Sequence, residues 1–156
     1  LVKDGKLYWF SLCDARVSIY ECGQKVFSSW DDWKYFLQHL PQSFDDIEKS
    51  LRQKIIRSIY RNGILRNGEK IGYGLATGES DAEAYLEFGI RDIKSSDLCF
   101  VHTDGYEEYL KVPEMLDLFK EWPQDLEAKI KKLSREKIEE NDDNFGHERS
   151  LFVLKF

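Results

Sequence analysis

The sequence predicts an α+β domain in which helices cover antiparallel sheet. Three observations carry that expectation. Short runs of strand formers, joined by hairpin-like turns, recur along the chain. Two pairs of helical stretches are inserted between those runs, rather than one helix after every strand. The 156 residues, 42% hydrophobic and 14% aromatic, suffice for a single domain spanning 1–156 with its own core.

Asp4-Gly5 is a turn signal, and Lys6 to Leu12 (KLYWFSL) is rich in aromatic strand formers. Asp14-Ala15 interrupts it, Arg16 to Cys22 alternates as a second strand, and Cys22-Gly23-Gln24 turns the chain into Lys25-Val26-Phe27. The three runs predict an antiparallel meander. Ser29 is placed to cap a helix whose face carries Trp33, Phe36, Leu37 and Leu40, and Pro41 ends it. Ser43 opens a longer helix with Asp45, Asp46 and Glu48 near its positive end. Its apolar face is expected to use Ile47, Leu51, Ile55 and Ile59, with Ile56 as a further candidate, and Asn62-Gly63 stops it.

Residues 66–80 are glycine-rich and predict a surface loop followed by a short strand. Ala82 to Ile93 alternates, Ser95-Ser96-Asp97 turns, and Leu98 to His102 is the next strand. Two helices follow, Val112 to Glu121 and Leu126 to Glu140, separated by Pro123. The polar loop NDDNFGHE precedes a closing strand, Arg149 to Phe156. No internal repeat or low-complexity tract occurs.

The formal charge of −6 argues against a nucleic-acid or anionic-membrane surface and is compatible with a cation site. Cys13, Cys22 and Cys99 lack metal-finger spacing. Cys13 and Cys99 sit in apolar runs as expected reduced, buried thiols, which predicts a cytoplasmic setting. No stretch approaches the roughly 20 apolar residues of a membrane helix, and no signal segment opens the chain. The chain begins at Leu1, almost directly in a strand, which predicts that it is part of a longer protein.

Thr103-Asp104-Gly105 is the leading candidate site. A carboxylate at a strand end is held by a rigid element yet faces solvent, which suits a hard cation, and Gly105 permits a tight turn that leaves the site open. The competing reading has Asp104 forming an Asx-turn that caps a helix beginning at Tyr106 or Glu107. Asn141-Asp142-Asp143-Asn144, with Glu148 beyond it, offers further carboxylates or is a solvated loop. One loop does not supply the several oxygens from separate elements that Mg²⁺ or Mn²⁺ requires. Arg16 either approaches an anion or is an exposed hairpin arginine. His102 is expected to be packed or hydrogen-bonded. Gly72-Tyr73-Gly74 lacks the strand-to-helix context of a dinucleotide site, and no phosphate-binding P-loop, G-x-S-x-G or H-E-x-x-H motif occurs.

In order, four segments resemble the protein phosphatase 2C family. DGKLYWFSLCDARVSIYE resembles the family's "g-k-l-y-v-a-n-v-G-D-S-R" run, with Asp14 and Arg16 matching, Cys13 in place of glycine and Ala15 in place of serine. GYGLATGES resembles a glycine-containing stretch of bacterial relatives. DLCFVHTDGYEEYL resembles "D-x-l-l-l-x-S-D-G-l-w-e-x-l", and RSLFVLKF resembles the final strand, which follows "D-N-x-T" or "D-D-x-T".

The resemblance implies an α-β-β-α sandwich and removal of phosphate from phosphoserine and phosphothreonine proteins by a metal-bound water, using two Mg²⁺ or Mn²⁺ ions. It implies Asp104 as a metal ligand with Gly105 beside it. The last ligand falls on Glu148 by direct alignment with the final strand, or on Asp143 if the loop carries an insertion. The family's "D-G-x-G-G" motif does not occur upstream of residue 97, so the resemblance covers the second half of a complete domain, with the remainder expected upstream. A catalytically inactive phosphatase-like binding or regulatory module, and an unrelated α+β interaction module, are the alternatives.

Overall fold

The computed structural model describes residues 1–13, 15–41, 44, 46–147 and 149–156, without the side chain of Trp33. It is an α+β fold with two antiparallel sheets, and its chain divides into two units, Leu1–Trp9 with Ala15–Ser29 and Ile90–Phe156, and Phe10–Asp14 with Trp30–Gly89.

Strands β1 (Val2–Lys3), β2 (Lys6–Ser11) and β5 (Glu87–Asp92) form a three-stranded sheet in the order β1-β2-β5. The second sheet runs β4-β3-β6-β7, from β3 (Arg16–Glu21), β4 (Gln24–Ser28), β6 (Leu98–His102) and β7 (Leu151–Lys155). Thus β3 and β4 form the expected hairpin, but β2 joins the other sheet, and the three-strand meander is not formed. Alternation in β2 and β3 looks alike in sequence; long-range pairing separates them, and Cys13 at φ 64° lies in the segment where the chain changes sheets.

Strand β6 shows why the sheet sits where it does. Phe100 is 0% exposed and lies edge-on to Tyr20 and Phe119, with ring centroids 5.3 Å away in each case. On that face the core includes Leu98, Tyr109, Leu110, Met115 and Leu116, closed by helices α3 (Pro113–Glu121) and α4 (Leu126–Glu140). On the other face Val17, Ile19 and Cys99 pack with Leu7 and Trp9 of β2. Helices, sheet and sheet strand therefore stack in layers within the first unit. Helix α3 starts on Pro113 and stops at Trp122, whose φ of 53° is left-handed.

In the second unit, α1 (Asp32–Gln38) is capped by Asp31, whose Oδ1 accepts the Lys34 N–H at 2.7 Å. Ser29, the expected cap, is buried in the first unit and accepts the Val17 N–H at 3.0 Å. Helix α2 (Lys49–Ile55) is capped by Glu48 and continues as a π-helical turn over Ile56–Tyr60; the expected start at Ser43 lies outside the described residues. The apolar face differs from expectation. Ile56 is 7% exposed, whereas Leu51 and Ile59 are 51% and 52% exposed. The reason is aromatic. Tyr60 packs against Phe36 at 5.1 Å and Phe44 at 6.0 Å, and Ile56 joins that cluster with Tyr73, so this stripe turns inward. Buried Asn62 takes φ 51° and ends the helical run as expected, while its side chain binds the Leu75 N–H at 2.7 Å. Ser80–Tyr85 is a 3₁₀ helix rather than part of a strand, and Asp142–Phe145 is a short helix, α5, within the predicted loop.

Truncating Phe100 to alanine removes the ring on which both aromatic contacts depend. The expected loss is about 3–5 kcal/mol of unfolding free energy, read from urea denaturation with an unchanged slope.

Candidate functional site

The four-stranded sheet brings several strand ends to one edge. Arg16 of β3 stands opposite His102 of β6, which stands opposite Leu151 of β7, and Ser18 stands opposite Ser28 at the end of β4. Beyond the ladder, Thr103 and Ser150 exchange two hydrogen bonds. The Thr103 N–H donates to the Ser150 carbonyl at 3.2 Å, and the Ser150 N–H donates to Thr103 Oγ1 at 3.0 Å. The residues leading out of β6 and into β7 are thereby tied together.

Asp104 follows on this tie and is exposed. It opens a 3₁₀ turn, Asp104–Tyr106, in which Oδ1 accepts the Gly105 N–H at 2.7 Å and its carbonyl accepts the Glu107 N–H at 2.8 Å. The carboxylate is thus tied to the next residue's backbone through Oδ1, and Oδ2 accepts no hydrogen bond among the described residues. Gly105 is buried and is not one of the glycines with positive φ, so the turn does not depend on left-handed backbone at this position.

The other candidate carboxylates lie elsewhere or outside the described residues. Asp143 is exposed in the first turn of α5, where Asn141 caps the Asn144 N–H at 3.2 Å. Glu148 lies outside the described residues. Among the described residues no group of three or more His, Cys, Asp or Glu side chains could hold a metal ion.

Two polar pairs behind Asp104 are structural. Arg16 is buried rather than exposed: its Nη1 lies 3.2 Å from Glu107 Oε1, with side-chain exposures of 7% and 19%. Glu107, expected at the solvated start of a helix, is held inward by this pair, while Glu108 reaches Lys111. His102 is buried as expected. Its Nδ1 lies 2.9 Å from the Thr103 carbonyl, so Nδ1 carries the proton, and Nε2 accepts the Ser18 hydroxyl at 3.0 Å. Burial holds the imidazole below its ordinary value, with the positive charge of Arg16 adding to that effect. Burial also pushes the Tyr20 phenol up to about 12, with Glu107 adding to the rise. Sequence reasoning missed Ser18 and Glu107; a serine and a histidine in otherwise apolar strands were the available signal.

No protein-family model, curated protein or solved structure matches the chain.

The histidine supplies a pH test. An unfolded chain binds a proton at His102 near 6.5, whereas the folded chain binds it only at lower pH. Its stabilising contribution is therefore whole above 6.5 and declines as pH falls from there towards the folded value. Melting temperatures followed from pH 7.5 downwards should drop more steeply for the wild type than for His102→Gln.

Proposed function

We propose that this chain forms the carboxy-terminal portion of a metal-dependent protein serine/threonine phosphatase domain of the protein phosphatase 2C kind. The observation that carries the reading is the meeting of motif-bearing strand ends at one sheet edge. Arg16, Thr103-Asp104-Gly105 and Ser150 come from the three separate segments that resemble the family, and the Thr103–Ser150 tie sets the last two side by side. Within this reading Asp104 offers Oδ2 to a Mg²⁺ or Mn²⁺ ion while Oδ1 stays on the Gly105 N–H, which fixes the carboxylate's orientation. Asp143 or Glu148 supplies a second carboxylate, and the remaining ligands come from the upstream part of the domain.

Cys13 and Ala15 in place of the family's glycine and serine, and Glu148 where an aspartate is usual, favour the second reading, an inactive phosphatase-like binding or regulatory module.

Assay of the full-length protein separates the two. Hydrolysis of p-nitrophenyl phosphate should require Mn²⁺ or Mg²⁺, and Asp104→Ala should lower kcat/KM by more than the roughly 10–100-fold typical of losing an outer-shell partner. Unchanged activity in Asp104→Ala removes this residue from the metal site, and no activity in the wild type favours the inactive module. Calorimetric titration of residues 1–156 with Mn²⁺ should show weak binding or none.

A further inference from the structure

The four-stranded sheet has two outer strands, β4 and β7, and they are built differently. An outer strand leaves a row of N–H and C=O groups open to pairing, which proteins commonly blunt with charge, proline or a bulge. Strand β4 carries Lys25, and its register with β3 shifts between Ile19 and Tyr20. Strand β7 has no such device over 151–154. That run, LFVL, is uncharged, lacks proline and keeps an unbroken register with β6. Phe152 is 60% exposed, and Lys155 at the strand's end donates to the Lys120 carbonyl.

The phase of the ladder fixes which groups are open. The Thr103 N–H donates to the Ser150 carbonyl and the Phe156 N–H to the Asp97 carbonyl. Alternation then turns the backbone groups of Phe152 and Leu154 towards β6. Those of Leu151, Val153 and Lys155 point away from it, and no strand or loop among the described residues pairs with them. A row of alternating donors and acceptors at this spacing is matched by extended polypeptide.

The side chains of the same strand line a groove. Leu151 and Val153 form one side and Leu126 and Ile130 of α4 the other, with Phe119 and Trp122 completing it. Its volume is about 520 Å³, within the roughly 300–1,000 Å³ of ligand sites. A strand laid along β7 would send every second side chain to this face. Charge narrows the choice further. Of the four charged residues lining the groove, Glu127 and Lys131 pair with each other at 2.5 Å. Arg149 donates to the Phe145 carbonyl at 2.9 Å and lies over the Tyr109 ring, without a carboxylate among the described residues. Arg135 is exposed and has no hydrogen bond or ion pair among them. Two guanidinium groups therefore flank the groove with no acid to meet them, and their geometry suits carboxylates.

We propose that the open edge of β7 takes up an extended, acidic peptide segment of a partner protein, which adds a strand to the sheet and places alternate apolar side chains in the groove. A second copy of this chain fits worse. Residues 149–156 carry Arg149 and Lys155 and no acid, so two copies paired along β7 bring like charges together. The proposal does not rest on the phosphatase reading, because it needs no metal and no hydrolysis.

The probe is a fluorescein-labelled peptide, ELTVTLE, followed by anisotropy as full-length protein is added. Saturable binding is expected. Backbone N-methylation removes donors while keeping every side chain. Methylating one alternate set of residues should weaken binding about tenfold or more, and methylating the other set should change it by less than about threefold. Arg135→Glu should weaken binding severalfold. Lys132→Glu, the same charge change on α4 outside the groove, should leave it within about twofold. Circular dichroism checks that both variants are folded. Absence of saturable binding overturns the proposal, as does equal loss from the two methylated sets or binding indifferent to Arg135→Glu. Binding by residues 1–156 that the full-length protein lacks assigns the edge to the upstream chain and overturns it. So does a dimer in sedimentation velocity that Val153→Pro dissociates, which assigns the edge to a second copy.

Discussion

Strands β3 and β6 pair antiparallel from Arg16 opposite His102 to Tyr20 opposite Leu98, and a slip of one residue would turn Phe100 away from the helices and Val101 into them. Because β3 also pairs with β4 and β6 with β7, that single register propagates across the whole sheet. It puts Tyr20, Leu98 and Phe100 under α3 and α4, and it puts Val17, Ile19 and Cys99 against β2. It also decides which residues emerge together at the far edge. Asp104 is at that edge because β6 runs to it, and Ser150 is there because β7 runs from it.

Behind the edge lies a layer of polar side chains that the same register must satisfy. The Arg16–Glu107 pair and the Ser18–His102 hydrogen bond are both largely removed from water. Such groups add little net stability when complete, yet become costly when one partner is lost, since the survivor keeps its desolvation penalty. Their contribution is therefore to exclude alternative arrangements at this end of the sheet. Asp104 is positioned by atoms that have few other places to be.

Much of the fold was legible because its signals were local. The run LCFVH bounded by a turn and a polar exit is strand β6; α3 begins one residue after the expected Val112, and α4 keeps the expected Leu126–Glu140, with Pro123 between them. The hairpin of β3 and β4 followed from Cys22-Gly23, both of which take positive φ. What was not legible depended on distant partners. Nothing within KLYWFS says that β2 joins β5's sheet instead of β3, and the spacing of Leu51, Ile55 and Ile59 matches a core face as well as that of Ile56 and Tyr60. The aromatic rings of Phe36 and Phe44 made that choice from outside the helix. At the candidate site, the strand-end carboxylate could be read directly, whereas the burial of Glu107 required knowing where Arg16 would lie.

Cys99, the second residue of β6, stands between Ile19 and Leu154 of the flanking strands and is 1% exposed. Burial pushes its pKa up to about 11, while Cys22 is exposed. A thiol reagent needs both access and a thiolate, and Cys99 offers neither while the sheet is closed. The chain thus carries a built-in clock. Once Cys22 and the part-exposed Cys13 have been consumed, the slow modification of Cys99 times how often the centre of the sheet opens.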